Sequence, residues 1–467
     1  MRFNSAPSQW VRVTGDTDGS GRDGASADTT GISRRSFVRI GATAAGVPLL
    51  ASATGGGSAT EPNTSGAVTD ASDTEPDTAG EQWTVVALPD TQYFTVNDRW
   101  YRFAIDQVDW IVENADAENI VFVTHEGDIV NEGNDPTKWV WMDAALSELD
   151  GVVPYSTLPG NHDYAETGVR RSGLDAYTTY FGASRFDGYE WFGGTGPGDE
   201  EANSYQLFSA GGYDFLHLAL EWEPRDVTLQ WAQSVLNRHP ERPTLLTTHS
   251  YLTDGNAERD TRGDEEADGD EEADGGELNP GRTRYVQEAD GDGNGGEAVW
   301  RKLVEPNAQV FAVLCGHFHE NDGEYHQTSE NRDGLTVYEL LANYQAREAT
   351  GFDRLRLLTF VPDGGEDAPD RIEVHTYSPH LAEYEVNADS HISFDLDFED
   401  RFSASLPSRS PGDVDGDGDV DDDDVELVQR YLADRDVELD RDVADANRDG
   451  EVDITDVVEI ANERGSR

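Results

Sequence analysis

Five short polar blocks in this chain carry residue types that hold divalent cations: Asp90-Thr91-Gln92, Gly127-Asp128, Gly160-Asn161-His162-Asp163, His249 and Gly316-His317-Phe318-His319. Two such cations about 3.5–4 Å apart clamp a phosphoester, activate a water and stabilise the leaving oxygen. That chemistry needs one carboxylate able to reach both ions, with neutral or anionic donors on either side. Asp128 is the natural bridge. Asn161 offers a carbonyl oxygen, and His249, His317 and His319 offer imidazole nitrogen. His317 and His319 are two residues apart, so in extended chain they point the same way. His162 adjoins Asp163, and a histidine oriented by a carboxylate can protonate a leaving alkoxide or stabilise transition-state charge. Activated water is the nucleophile in this chemistry, so no serine or cysteine is required.

The blocks sit where apolar runs end, and converging strand ends are what would bring them together. Trp83–Leu88, Ile120–Val123, Val152–Leu158, Thr244–Thr247 and Val310–Leu314 read as buried strands, each leading into a block. Phe215–Leu220, Leu335–Leu341, Leu355–Phe360, Arg371–Tyr377 and Ile392–Phe398 read as further strands. Trp100–Val112, Lys138–Leu149 and Val227–Leu236 have helical spacing. Early β-α-β alternation followed by runs of strands predicts an α/β fold of mixed sheets flanked by helices. Cys315, the only cysteine, ends an apolar run, which points to a buried small hydrophobe and excludes an intramolecular disulfide. His217 lies inside a strand and reads as a core or sheet-face residue.

The chain has 467 residues, with 95 acidic against 34 basic and a formal net charge of −61. Such a charge repels nucleic acid and anionic membranes, so no nucleic-acid partner is expected. The acidity runs through segments with Trp, Tyr and regular apolar periods, which fits a folded domain with an acid-coated surface of the kind found in halophiles. At 1 M salt the Debye length is about 3 Å and the self-repulsion is screened.

The flanks divide the chain further. Residues 1–53 contain Arg34-Arg35 between Ser33 and Ser36-Phe37, then a short Ala/Gly-rich apolar stretch and Ala51-Ser52-Ala53, the pattern of a twin-arginine export signal. The stretch is too short for a membrane span, which needs about 20 apolar residues, so no transmembrane segment is expected in the mature chain and the protein is expected to be secreted or at the cell surface. Residues 54–80 read as a flexible linker and 254–298 as an acidic, disordered insertion in a domain spanning 81–398. After a linker, 399–411, a separate module at 412–463 holds an internal repeat of two twelve-residue calcium loops. Asp413, Asp415, Asp417, Asp419 and Asp424 are the ligands of one; Asp445, Asn447, Asp449, Glu451 and Asp456 are those of the other.

Taken together, the order and spacing of the five blocks resemble the calcineurin-like metallophosphoesterases, with Gly160-Asn161-His162-Asp163 and Gly316-His317-x-His319 the most specific elements. The resemblance implies a two-sheet sandwich flanked by helices with a dimetal site at the strand ends. Carried over, Asp90, Asp128 and His319 hold the first ion; Asp128, Asn161, His249 and His317 hold the second. His162 becomes the catalytic acid or the group polarising the phosphoryl oxygen. The family's usual first block is Asp-x-His, whereas here it ends in Gln92. An amide oxygen is a harder, weaker ligand than imidazole, so among Mn, Fe, Zn and Mg the first site leans towards Mn²⁺ or Mg²⁺, with Mn favoured. His125, three residues before Asp128, is a candidate to compensate as a ligand, to touch substrate, or to support the ligands from behind.

The C-terminal repeat has Asp at loop position twelve and lacks a helix before each loop, and it resembles a type I dockerin: a small all-α, calcium-binding domain. That resemblance implies a cohesin-bearing partner, recognised by loop positions ten and eleven, Asp422-Asp423 and Ile454-Thr455. The resulting expectation is a secreted dinuclear-metal hydrolase of phosphomonoesters or phosphodiesters, tethered through calcium-dependent docking. The alternative is a catalytically weak, metal-stabilised binding module serving cohesin–dockerin assembly. Asp422-Asp423 and Ile454-Thr455 differ, which argues against two interchangeable docking modes.

Overall fold

The computed structural model describes residues 81–403, apart from 199–200, 254–280, 285, 288–290, 320–321 and 363–368, and parts of 412–463. The expected export signal and first linker therefore lie outside the described residues. Fourteen strands are described: β1 (Trp83–Leu88), β2 (Ile120–His125), β3 (Tyr155–Ser156), β4 (Phe192–Thr195), β5 (Ser204–Ala210), β6 (Tyr213–Leu220), β7 (Thr244–Thr248), β8 (Val310–Cys315), β9 (Glu324–Glu330), β10 (Thr336–Ala342), β11 (Leu355–Val361), β12 (Arg371–Ser378), β13 (Glu383–Tyr384) and β14 (His391–Asp395). They form two seven-stranded mixed sheets. One runs β13-β12-β11-β1-β2-β3, with β14 also on β12; the other runs β4-β5-β6-β7-β8-β10-β9.

Strand alternation builds the layers. In β1, Trp83, Val85 and Ala87 face the layer between the sheets, while Val86 and Leu88 face the helices outside. The inter-sheet layer is aromatic: Trp83 stacks on Phe360 at 5.2 Å and Phe122 on Phe208 at 4.7 Å. Helix α1 (Asp98–Asn114) starts where the Asn97 side chain accepts the amides of Arg99 and Trp100. It lays Phe103, Ala104, Val108 and Ile111 on the first sheet beside Trp139 and Met142 of α2 (Pro136–Leu146). Helix α3 (Asp226–Arg238) covers the second sheet with Leu229, Ala232, Val235 and Leu236. The result is a helix–sheet–sheet–helix sandwich. Among the described residues no helix is long and apolar enough to cross a membrane.

Several expected bounds shift. The strand expected at Val152–Leu158 shrinks to Tyr155–Ser156, and the one expected at Ile392–Phe398 stops at Asp395. Asp397 then caps a helical turn, Phe398–Phe402, whose two phenylalanines enter the inter-sheet core, so the domain runs past 398. The acidic interruption is narrower than 254–298. Arg282, Thr283 and Asn294 are buried, and Gly296–Val299 is helical.

In the C-terminal module, α4 (Asp422–Asp434) and α5 (Ile454–Glu463) pack Val425, Val428, Val457 and Ile460 with Val414 and Val452. Val458, on the same helix, is exposed. Of the expected calcium ligands, Asp424 and Asp456 are described and fully buried. Asp413, Asp415, Asp417, Asp419, Asp445, Asn447, Asp449 and Glu451 lie outside the described residues.

Candidate metal centre

Among the strands that parallel pairing aims the same way within their sheets are β1, β2 and β3 in the first and β7, β8 and β10 in the second. Their carboxyl ends meet, and each releases a polar residue there: Asp90, Asp128, Asn161, His249, His317 and Asn343. In α/β sheets this is where ligands bind. Glycines let the loops close up. A Cβ at Gly160 would run into the Asp128 carboxylate, and one at Gly316 into that of Asp90. Asp128 and His317 both take positive φ, +50° and +68°, which turns their side chains into the shared space.

Four donor atoms converge most tightly. His249 Nε2 lies 3.1 Å from Asn161 Oδ1, 3.1 Å from His317 Nδ1 and 3.3 Å from Asp128 Oδ1. His317 Nδ1 is also 3.1 Å from Asn161 Oδ1. The carboxylate and imidazole ligand atoms of Asp128, His249 and His317 all fall within 4.8 Å of one another. The far ring nitrogens set the tautomers. His249 Nδ1 donates to the Glu126 carbonyl at 2.8 Å, and His317 Nε2 to Gln287 Oε1 at 2.7 Å. Each ring therefore turns its other nitrogen towards the centre. Burial opposes a charged His249, yet the Asp128 and Asp90 carboxylates lift its pKa to about 10. Burial and the neighbouring His249 push His317 down to about 3. A buried point ringed by one carboxylate, one amide oxygen and two imidazole nitrogens fits a divalent cation.

The residues expected around a first ion are held differently. The Asp90 carboxylate accepts the His317 amide (3.1 and 3.2 Å) and Asn343 Nδ2 (2.8 Å), and burial raises its pKa to about 8. Gln92 donates Nε2 to Asp128 Oδ2 at 2.9 Å, while its Oε1 is buried and unpartnered. That orphaned oxygen beside the Asp128 carboxylate fits a cation ligand. His319, half-buried, stands outside the tight group formed by Asp128, His249 and His317.

His125 and Asp163 serve the loops. His125 Nδ1 accepts the Gly127 amide, so its Nε2 donates to Thr91 Oγ1 at 3.0 Å, and Thr91 in turn donates to the Ile129 carbonyl. With both nitrogens occupied, the ring ties the Asp90 loop to the Asp128 loop. Asp163 was expected to orient His162. Instead its carboxylate accepts the amides of Ile129, Val130 and Gly160 at 2.8–3.1 Å. His162 is held by the Asn131 carbonyl, which takes Nδ1–H at 2.9 Å, and its own amide donates to Asp128 Oδ1 at 2.8 Å.

Three residues that carried no signal in the sequence belong to the centre: Asn343, Gln287 and Glu126. Glu126 is buried with one carboxylate oxygen unpartnered, and burial and the nearby Asp90 charge raise its pKa well above the usual range. Beside the His162 loop lies an open cavity of about 560 Å³ lined by Glu132, Asn134, Ala165, Glu166, Thr167 and Ser172.

Residues 84–321 match the family model for calcineurin-like phosphoesterases, and residues 411–463 match that for the type I dockerin domain. The chain belongs to the calcineurin-like phosphoesterases and carries a dockerin domain; the first family binds divalent metals and dockerins bind calcium. The uncharacterised protein YvnB of Bacillus subtilis (strain 168) is 31% identical over 308 residues, 65% of this chain. The chain spans about a fifth (20%) of that relative's length. Among solved structures, the purple acid phosphatase PPD1 from yellow lupin (Lupinus luteus) seeds is 14% identical with a TM-score of 0.41, covering 71% of this chain and 57% of its own. GAP50, the anchor in the inner membrane complex of Plasmodium, is 11% identical with a TM-score of 0.34, covering 70% and 95% respectively.

Proposed function

We propose that residues 81–402 hydrolyse phosphomonoesters or phosphodiesters using two divalent cations. The observation carrying this reading is the convergence of Asp128 Oδ1, Asn161 Oδ1 and His317 Nδ1 on His249 Nε2, which lies 3.1–3.3 Å from each of them. These four atoms would hold one ion. Asp90, Gln92, His319 and the second oxygen of Asp128 would hold the other, with Mn²⁺ favoured by the oxygen-rich set. When bound, the ions polarise the phosphoryl oxygens and activate the attacking water. His162 keeps its Nδ1 proton on the Asn131 carbonyl, so Nε2 takes or gives the proton that reaches the leaving oxygen. The cavity next to this loop carries Glu132 and Glu166 and receives the leaving group. Two carboxylates there disfavour a polyanionic leaving group and suit a neutral or cationic one.

The Arg34-Arg35 motif supports twin-arginine export, and the dockerin domain supports a cohesin-bearing partner outside the cell or on its surface. The net charge of −61 supports a working medium of molar salt. The test is turnover of p-nitrophenyl phosphate and bis-p-nitrophenyl phosphate with Mn²⁺ in molar salt, in parent and His162→Ala proteins. Turnover lost in the variant is the expected result. Equal turnover in the two, or none in the parent, overturns the reading.

One observation favours the weaker, binding-module alternative. The Gln92 amide N–H occupies Asp128 Oδ2, the oxygen that a bridging role requires. Under that alternative the parent binds one ion per domain and turns over neither ester.

A further inference from the structure

The returning arm of the acidic interruption is built into the metal centre. The chain leaves β7, pairs Leu252 with Arg282 in an antiparallel bridge, and is clamped by Thr253 N–H on the Gly281 carbonyl (2.8 Å) and Thr283 N–H on that of Tyr251 (3.0 Å). Thr253 and Gly281 thus lie side by side. Arg282 anchors the return. Its buried guanidinium donates to both oxygens of buried Glu339 at 2.7 and 2.8 Å and lies over the Trp300 ring.

Beyond it, the arm is tied to the turn after β6. The Gln287 amide donates to Glu223 Oε1 at 2.7 Å, and Asn294 Nδ2 donates to the Pro224 carbonyl at 2.8 Å. Held there, Gln287 places its Oε1 2.7 Å from His317 Nε2.

We propose that Gln287 is a positioning residue for His317, through which the arm of the acidic interruption sets the affinity of the second ion. An imidazole that ligates through Nδ1 must carry its proton on Nε2, and an acceptor there selects that tautomer, fixes the ring and strengthens the donor. His249 and His162 obtain the same service from backbone carbonyls of Glu126 and Asn131, which side-chain substitution cannot remove. His317 alone of these three depends on a side chain. The inference rests on the metal reading above.

The test is calorimetric titration of the full, chelator-stripped chain with Mn²⁺ alone in molar salt, together with metal-free melting. Gln287 is exposed, so Gln287→Leu should melt with the parent. It should bind the second Mn²⁺ about 10- to 100-fold more weakly. Gln287→Glu keeps an acceptor and should bind at least as tightly as the parent. If the parent binds Mn²⁺ and Gln287→Leu binds it equally well, the inference fails while the metal reading stands. Equal weakening in Gln287→Leu and Gln287→Glu also overturns it, because the acceptor is then not what matters. A parent that takes up no Mn²⁺ overturns both.

Discussion

Asn343 holds Asp90 from behind: its Nδ2 lies 2.8 Å from Asp90 Oδ2 and 3.0 Å from the His317 carbonyl, so one amide group braces the Asp90 carboxylate against the His317 backbone. Asn343→Leu keeps the branched shape and removes the donor. Metal affinity should fall about 10- to 100-fold, as when other outer supports of ligands are removed. Titrating the stripped protein with Mn²⁺ checks it; parent affinity in the variant would remove Asn343 from the site.

Gly160 and Gly316 are required by space rather than flexibility. A Cβ at either would occupy the volume of the Asp128 or Asp90 carboxylate. Gly160→Ala and Gly316→Ala should each lose about 1–3 kcal/mol of stability from overpacking, in line with forced shifts in packed sites. Both should also lose Mn²⁺ binding, because the atoms that must move are the ligands. Urea unfolding and metal content measure the two effects separately.

His162 and Asp163 adjoin in sequence but should differ in consequence. His162→Ala removes a group that moves a proton and should cost about 10²–10⁴ in turnover with metal content unchanged. Asp163→Asn turns one acceptor of three backbone amides into a donor facing them and should cost about 1–3 kcal/mol of stability. Paired turnover and unfolding measurements separate them. Asp163→Asn with parent stability and collapsed turnover would restore the orienting role that adjacency suggested.

Much of the centre was legible because its chemistry needs side chains at strand exits, and a buried parallel strand announces itself as an apolar run. Asp90, Asp128, Asn161, His249 and His317 all follow such runs. Asn343 also follows one, β10, but a lone Asn has no second residue to mark it. Gln287 was hidden inside an acidic stretch without periodicity, where nothing in composition marks a residue held by Glu223. Strand β5 escaped for a related reason. Its inward face carries Ser204 and Gln206 beside Phe208, because buried His217 and Gln206 satisfy one another at 2.8 Å, so the polar residues point in. Strand β9 at the sheet edge is polar along its length, with Glu, His, Gln, Thr and Ser.

The dockerin module makes its own prediction. Asp424 and Asp456, at position twelve of the two loops, are fully buried, and each already accepts a backbone amide, from Val414 and Asp453 respectively. Position twelve closes a calcium loop. Asp456→Ala should reduce bound calcium from two ions to one per chain and weaken cohesin capture. Calcium content after dialysis measures it, and an unchanged content would take Asp456 out of the ligand set.

Glu324, at the start of β9, accepts at least five side chains: Arg356 (2.8 Å), Arg347 (2.8 Å), Thr376 (2.7 Å), Ser390 (2.6 Å) and Tyr344 (3.0 Å). Burial works against its charge, but the Arg356 guanidinium and these hydroxyls hold its pKa well below the usual glutamate value of 4.5. A depressed folded-state pKa contributes stability that is fully present above 4.5 and is lost as pH falls through the folded value. Glu324→Gln leaves the buried Arg356 without its counter-charge and should cost about 3–5 kcal/mol at neutral pH. In acid the parent protonates the same carboxyl and surrenders the same contribution, so the gap between parent and variant should narrow steadily below 4.5. Urea unfolding of both proteins across that range decides it. A gap that stays constant into acid would mean that shape, not charge, is what Glu324 supplies.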